Sequence, residues 1–288
     1  MLLLRYRFRI YPTAPQAKAL ARVFGCVRVV YNDVVAARKA AYAAGEPFPA
    51  SGDLSRWLIA EAKKTDERAW LAEVSAVPLQ QAVRDCDRAY ANFFDSIKRK
   101  RSGPRIGPPR FKRRSNTQTA RFTKAARFCV LGYGRLRLPK IGDLTVAWSR
   151  ELPSCPSSVT VVKTPTGKYY ASFVVALDDG ADLLEPLPAD QDTGIDLGLK
   201  SFAVLRGGAV IENPKFFARL ERKLKRAQRS LSRKQKGSNN RAKARVKVAR
   251  AHEKIKHSRS DWIDKQVHRI VSENCQNDLA GLGRARKS

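Results

Sequence analysis

Apolar and basic residues alternate from Leu2 to Tyr11, with Leu4, Tyr6, Phe8 and Ile10 on one side and Arg5, Arg7 and Arg9 on the other. Successive strand side chains point to opposite faces, so a period of two predicts a strand with one buried and one basic face. Pro12 ends it. Thr13-Ala14-Pro15-Gln16 then opens a helix, with a capping Thr, a Gln three residues on and Pro in the first turn. Leu20, Val23, Phe24, Val27, Val30, Tyr31 and Val34 follow at helical spacing. That helix is broadly apolar, which predicts packing against several neighbours. Arg28, Asn32 and Arg38 interrupt it; such groups either read base edges and phosphates or serve as solvated or packing polar groups. Residues 45–49 form a turn, and Leu54, Trp57, Leu58 and Ala62 outline one short helix. Pro78 begins a longer helix whose polar side carries Gln80, Gln81, Arg84, Arg88 and Asn92, with Gln80, Gln81 and Arg84 expected among the nucleic-acid contacts.

Residues 98–105 are a basic, helix-breaking linker that runs into Pro109-Arg110-Phe111-Lys112-Arg113-Arg114. Basic side chains around one Phe suit a nucleic-acid backbone with one stacked base; the other reading is a charged linker with an anchored aromatic. From 119 to 177 the period returns to two. It predicts strands at 120–122, 128–131, 135–138, 144–148, 158–164 and 169–177, with turns between them. Many short strands suggest a small barrel, joined by the N-terminal strand, with the helical block inserted after strand one. Residues 178–190 read as a linker.

Residues 193–203 predict a strand, a tight turn and a second strand. Ile195, Leu197 and Leu199 are expected to face a core, while Gly194, Asp196 and Gly198 share the other face. A carboxylate between two glycines can hold a hard cation with space for a phosphate, or simply start a turn. A third strand follows at 209–212. Two helices then carry apolar stripes, Phe217, Leu220, Leu224, Ala227 and Leu231 in the first, Val248, Ile255, Trp262, Ile263, Val267, Ile270 and Val271 in the second. Between Lys215 and Arg259 stand eighteen Lys and Arg against Glu221 and Glu253, a net +16. Solvated charged helices normally mix signs, so this hairpin is expected to contact phosphates, with Lys223, Arg226, Lys243 and Lys247 among the contacts.

Composition sharpens the picture. The formal charge of +31 on 288 residues implies a polyanionic partner, and a hydrophobic fraction of 43% is enough for real cores. No apolar run approaches the ~20 residues that span a bilayer, and Met1-Leu2-Leu3-Leu4 is too short for a signal peptide core. The five cysteines are scattered and never in C-x-x-C spacing, which argues for a reducing cytosol and against a zinc site. His252, His257 and His268 have no metal-ligand spacing and read as helix-surface residues.

In order, Tyr6-x-Phe8-x-Ile10-Tyr11-Pro12-Thr13-x-x-Gln16, Arg28-x-x-Tyr31-Asn32, Pro78-x-x-Gln81 leading to Phe93-Phe94, Pro109-Arg110-Phe111-Lys112 and Asp196-x-Gly198-x-x-x-Phe202-Ala203 resemble the TnpB (OrfB) family of insertion-sequence proteins. That family comprises RNA-guided DNA nucleases related to type V CRISPR effectors. The resemblance covers nearly the whole chain and implies an α+β, multidomain architecture. A barrel at residues 1–12 and 105–188 and an inserted helical domain at 13–104 would grip a structured guide RNA and read a short duplex motif beside the double-stranded target DNA. Residues 189–288 would form a RuvC-type, RNase H-like domain with a long basic helical hairpin, and Asp196 would be a Mg²⁺ ligand. The resemblance places Asn277 where the family has a catalytic Glu. With the chain ending at Ser288, it also implies an incomplete RuvC domain without zinc element or third carboxylate. The expectation is a cytoplasmic, nucleoid-associated, RNA-guided DNA-binding protein of prokaryotic type that does not cleave. Beside it stand an active nuclease drawing ligands from another chain or from Asp192 or Asp278, a nuclease-dead repressor, and a decayed gene product.

Overall fold

The computed structural model describes residues 2–132, 134–177, 194–206 and 208–285; the side chains of 216, 217, 219 and 273–285 lie outside that description. The linker read at 178–190 and Asp192 also fall outside it. The chain divides into two compact units, Met1–Ala181 and Asp182–Ser288.

The first unit is built on β1 (Leu2–Tyr11), whose alternation buries Phe8 and Ile10. A strand with one apolar face needs partners on both edges, and β1 finds them far along the chain. It pairs antiparallel with β7 (Tyr169–Leu177), Phe8 opposite Ala171, and near its end with β5 (Gly142–Ala147), Ile10 opposite Val146. β2 (Gln118–Thr123), β3 (Cys129–Leu131), β4 (Arg135–Leu138) and β6 (Ser158–Lys163) complete a seven-stranded sheet ordered β2-β6-β7-β1-β5-β4-β3. The sheet curls into a half-barrel. The barrel expected from the sequence does not close, because β2 and β3 stand at opposite edges and pair only inward. On the apolar face Phe8, Trp148 and Phe173 cluster, with ring centroids 4.5 to 5.9 Å apart.

Helix α1 (Ala14–Ala43) starts as its sequence predicts. The Thr13 N–H donates to Gln16 Oε1 at 3.0 Å, and Gln16 Nε2 donates to the Asp143 carbonyl at 2.8 Å, tying the helix start to β5. The predicted short helix at 54–62 is instead three consecutive turns of different pitch: α2 (Ser51–Ser55), a π-helical stretch (Arg56–Glu61) and a 3₁₀ turn (Ala62–Lys64). A further 3₁₀ turn at Ala69–Glu73 precedes α3 (Ala76–Ile97), which starts two residues before Pro78 because Ser75 provides the extended cap position. Leu20, Val30 and Val34 of α1 and Leu79, Val83 and Cys86 of α3 join Phe122, Val161 and Phe173 of the sheet in one core. Helical insert and sheet are therefore one packed body rather than two.

The second unit holds β8 (Ile195–Leu197), β9 (Ser201–Leu205) and β10 (Val210–Glu212) in a three-stranded antiparallel sheet, then α4 (Phe216–Ser232) and α5 (Asn239–Ala285). Leu224, Ala244 and Ile255 form the buried seam of the helical hairpin. Phe202 of β9 meets Trp262 of α5 edge to face at 4.7 Å. The expected burial of Ile195, Leu197 and Leu199 fails: they are 48%, 70% and 97% exposed. Alternation sets which residues share a strand face, but only a covering layer buries that face, and no described element covers this one. Ile263, Val267 and Val271 on α5 are exposed for the same reason. Among the described residues no helix is long and apolar enough to cross a membrane.

Candidate nucleic-acid interface

Asp196 lies on β8 opposite Val204 and is exposed. The neighbouring glycine is explained by the turn. A Cβ on Gly198 would sit 3.1 Å from the Ser201 carbonyl oxygen, so the backbone itself occupies the space a side chain needs. Among the described residues no three His, Cys, Asp or Glu side chains come together as a cation site. A hard divalent cation needs several oxygen ligands, and Asp196 provides one carboxylate. The described residues thus do not by themselves fit a Mg²⁺ centre. Asn277 falls on the helical backbone of α5, and its side chain and that of Asp278 lie outside the described residues.

The hairpin is different. At about 100° per residue, Arg222, Arg226, Arg229 and Arg233 fall within roughly 60° of one another, on the side of α4 away from Leu224. With Lys225 they line an open groove of about 630 Å³. Lys223 and Arg226 on α4 and Lys243 and Lys247 on α5 are all exposed, as the charge pattern predicts. Arg241 donates from Nη1 to the Leu231 and Lys234 carbonyls at 3.0 and 2.6 Å, placing a cation on the negative end of α4 and holding the turn. The described ion pair on this helix, Lys225 with Glu221 at 2.7 Å, takes one of its many cations.

A second basic surface comes from residues 109–114, held on α1 by an anchor the sequence only half suggests. Asn32 Nδ2 donates to the Lys112 carbonyl at 3.1 Å, and the Lys112 N–H donates to Asn32 Oδ1 at 2.7 Å. Arg28 donates to Gln118 Oε1 at 2.9 Å, and Gln118 Nε2 in turn donates to the Arg113 and Asn116 carbonyls. Lys39 lies 4.8 Å from the Phe111 ring centroid. Arg28, Asn32 and Lys39 occupy one stripe of α1, and all three touch this segment or the strand that follows it. Arg28 and Asn32 therefore position the segment through protein contacts instead of presenting free groups to bases.

Lys112 also departs from its expected role. Its Nζ turns inward to 3.7 Å from the Tyr31 ring centroid, and burial pushes its pKa below the usual lysine value. The same burial raises the Tyr31 hydroxyl to about 12. Gln81 is buried in α3, whereas Gln80 and Arg84 beside it are exposed. A glutamine on a helix seam has the same spacing as one facing solvent, so sequence could not separate them. Arg110, Phe111 and Arg113 remain outward, with Phe111 50% exposed. Gln118 and Lys39 were missed; the shared helix stripe with Asn32 was the available signal for Lys39.

Comparisons with known proteins now bear on these surfaces. Residues 172–283 match a family model described as OrfB_IS605, a probable transposase, and residues 1–47 match the family's helix-turn-helix domain. A Streptomyces pristinaespiralis protein named as a candidate RNA-guided DNA endonuclease is 41% identical over 274 residues, 93% of this chain and 64% of its own length. This chain belongs to the OrfB (TnpB) family. A second OrfB relative, InsQ of Escherichia coli (strain K12), also named as a candidate RNA-guided DNA endonuclease, is 33% identical over 229 residues, 77% of this chain and 53% of its own. The chain thus spans about two thirds to half the length of these OrfB relatives. A solved Cas12f1–sgRNA–target DNA complex aligns over 91% of this chain and 63% of that one at a TM-score of 0.46 and 12% identity, too slight a likeness to fix function. The stretch matched as helix-turn-helix folds in this OrfB chain as strand β1 followed by the single long helix α1.

Proposed function

We propose that this OrfB-family chain binds a structured guide RNA and double-stranded target DNA beside the bacterial nucleoid, and that the residues described here do not by themselves cleave the DNA. The arginine stripe on α4 carries the first part. Many exposed cations on one helix face, with few acids between them, suit a phosphate backbone better than solvent alone. The names of the two OrfB relatives support RNA guidance, in which pairing reads sequence and protein reads shape and backbone. Asp196 supports the second part. Two-metal phosphodiester cleavage needs carboxylates around a cation pair ~3.5–4 Å apart. Asp196 stands without such partners among the described residues, and Asn277 is neutral where the family resemblance expects a Glu. No metal-dependent step is therefore derived for this chain.

The exposed apolar face of β8 favours a second reading, in which further polypeptide covers that face and, separately, brings carboxylates beside Asp196 on the opposite face. One experiment separates the two. Purified chain is incubated with guide RNA, matched target DNA and Mg²⁺, alongside Asp196→Ala. The expected result is salt-sensitive binding without cleavage. Cleavage lost on Asp196→Ala would establish the second reading, and absence of any RNA or DNA binding would sink both.

A further inference from the structure

One side chain in the arginine groove of α4 is not a cation. Ser230 is exposed and lines the groove among six basic residues, Arg226, Arg229, Arg233 and Lys234 the nearest to it in the chain. At about 100° per residue, Arg226 and Lys234 stand roughly 40° from it around the helix and Arg233 roughly 60°, one turn before and one turn after. The neighbouring hydroxyls at this end of the hairpin are used by the backbone. Ser232 Oγ donates to the Arg229 carbonyl and Ser238 Oγ to the Gln235 carbonyl, each at 2.9 Å. The Ser230 hydroxyl has no partner among the described residues. Serine is also a weaker helix former than alanine, so this hydroxyl gives the fold nothing that a methyl group would not. What it adds to the groove is a nucleophilic oxygen ringed by positive charge.

A phosphoryl group on that oxygen carries about −1.5 to −2 charges and three acceptor oxygens. Arg226 four residues before it, and Arg233 and Lys234 three and four residues after it, are within helical side-chain reach. An anion four residues N-terminal to its cation is the favourable order, and guanidinium forks pair phosphate oxygens bidentately. The helix dipole opposes an anion near a C-terminus, and Ser230 lies two residues before the end of α4. Charge-assisted bonds to these cations offset that cost. The modified groove would fill itself, its own phosphate sitting on the arginines that otherwise take a nucleic-acid backbone. The flanking sequence suits the reaction too: Arg229 and Arg226 stand one and four residues before the acceptor, a basic pattern that an acidic kinase cleft discriminates by charge. To enter such a cleft the last turn of α4 has to open. Helix ends lie at the low end of local stability, and this one is fastened by Arg241, whose Nη1 donates to the Leu231 and Lys234 carbonyls.

We infer that Ser230 is a phosphorylation site for a serine kinase that reads basic substrates, and that its phosphate switches off the α4 groove. In the reaction Ser230 Oγ attacks the γ-phosphorus of ATP and the bond from that phosphorus to the β–γ bridging oxygen breaks. The bonding electrons leave on ADP, and the hydroxyl proton passes to a carboxylate of the kinase. The switch rests on the phosphate-binding reading of the hairpin given above; the modification site does not. The test incubates the full chain with a purified basophilic serine kinase, Mg²⁺ and γ-labelled ATP, and maps the label by mass spectrometry. Modified and unmodified chains are then titrated against duplex DNA and an RNA hairpin across a salt series. Label is expected on Ser230, absent from Ser230→Ala and retained in Ser232→Ala. It should enter faster in Arg241→Ala, whose last turn opens more readily. The modified chain should bind both nucleic acids more weakly, on the order of tenfold at ~150 mM salt, with a salt slope shallower by roughly two contacts and an unchanged helical signal by circular dichroism. Ser230→Ala should bind as the wild type does. Ser230→Glu should reproduce part of the loss, and should cost little further in the Arg226→Ala/Arg233→Ala background, where the groove it fills is already gone. No label on Ser230, in wild type and Arg241→Ala alike, would overturn the site. Label on Ser230 with unchanged affinity would overturn the switch. A chain labelled there that binds neither nucleic acid in either form would overturn the switch together with the phosphate-binding reading, and leave the modification site standing.

Discussion

Asn32→Ala separates a positioning role from a base-reading one. The substitution removes both side-chain bonds to the Lys112 peptide, at 2.7 and 3.1 Å, and leaves that N–H and carbonyl without their partner. A typical intramolecular hydrogen bond contributes about 0.5–1.5 kcal/mol net, so two together give about 1–3 kcal/mol, with the upper end favoured if no water replaces them. The unit that melts is Met1–Ala181. For a domain of that size about 1 kcal/mol shifts the melting temperature by roughly 2–4 °C. The expected fall is therefore about 2–12 °C. The same lesion frees residues 109–114 from α1, so binding by Arg110, Phe111 and Arg113 should weaken for all RNA sequences alike. Asn32→Asp is the informative companion: it keeps an acceptor for the Lys112 N–H but loses the donor to the carbonyl, and should fall in between. Thermal unfolding by circular dichroism and RNA titrations on the same samples make the measurement. An unchanged melting temperature, together with loss of binding to some sequences but not others, would refute the positioning role and restore base reading to Asn32.

Three further outcomes are expected. Phe111→Ala should lose about 1–3 kcal/mol of RNA binding with little change in melting temperature, because the ring is half exposed and free to stack; a large thermal shift without a binding defect would contradict this. Lys112→Met should leave stability unchanged or raised near pH 7. Burial lowers the folded-state pKa below the ordinary 10.5, so the charged lysine disfavours folding below its folded pKa and stops doing so above the unfolded value. Any gain should accordingly vanish as pH rises past about 10.5, and a gain that persists there would point to packing instead. Phe173→Ala, at the centre of the sheet core, should destabilise by about 3–5 kcal/mol in denaturant titrations, and a loss under about 1 kcal/mol would show that the aromatic cluster repacks.

The local patterns in this chain were strong enough to specify its elements. Alternation set β1 and β4 with their inward residues, because a strand's two faces are written at a period of two. The capping Thr13 and Gln16 set the start of α1 through bonds only three residues apart. The charge imbalance between 215 and 259 marked the hairpin as a helical pair with an exposed cationic face without any knowledge of packing. What the local pattern lacks is the identity of distant partners. That β1 lies between β5 and β7, and that β2 and β3 never meet, depends on contacts more than a hundred residues apart and on the curl of the whole sheet. The polar residues show the same limit more sharply. Asn32 and Gln81 have the spacing of solvent-facing groups, yet each is turned inward, because a seam and a solvent face share one helical period; Lys112 turns inward from an irregular segment, where no period tells buried from exposed. Leu197 and Leu199 have the spacing of core residues, yet they are exposed, because burial requires a second layer and alternation supplies only the first. Tertiary structure also stacked two basic residues of β1 on one ring, since Tyr170 reaches Arg7 and Arg9 only through the register of β1 with β7.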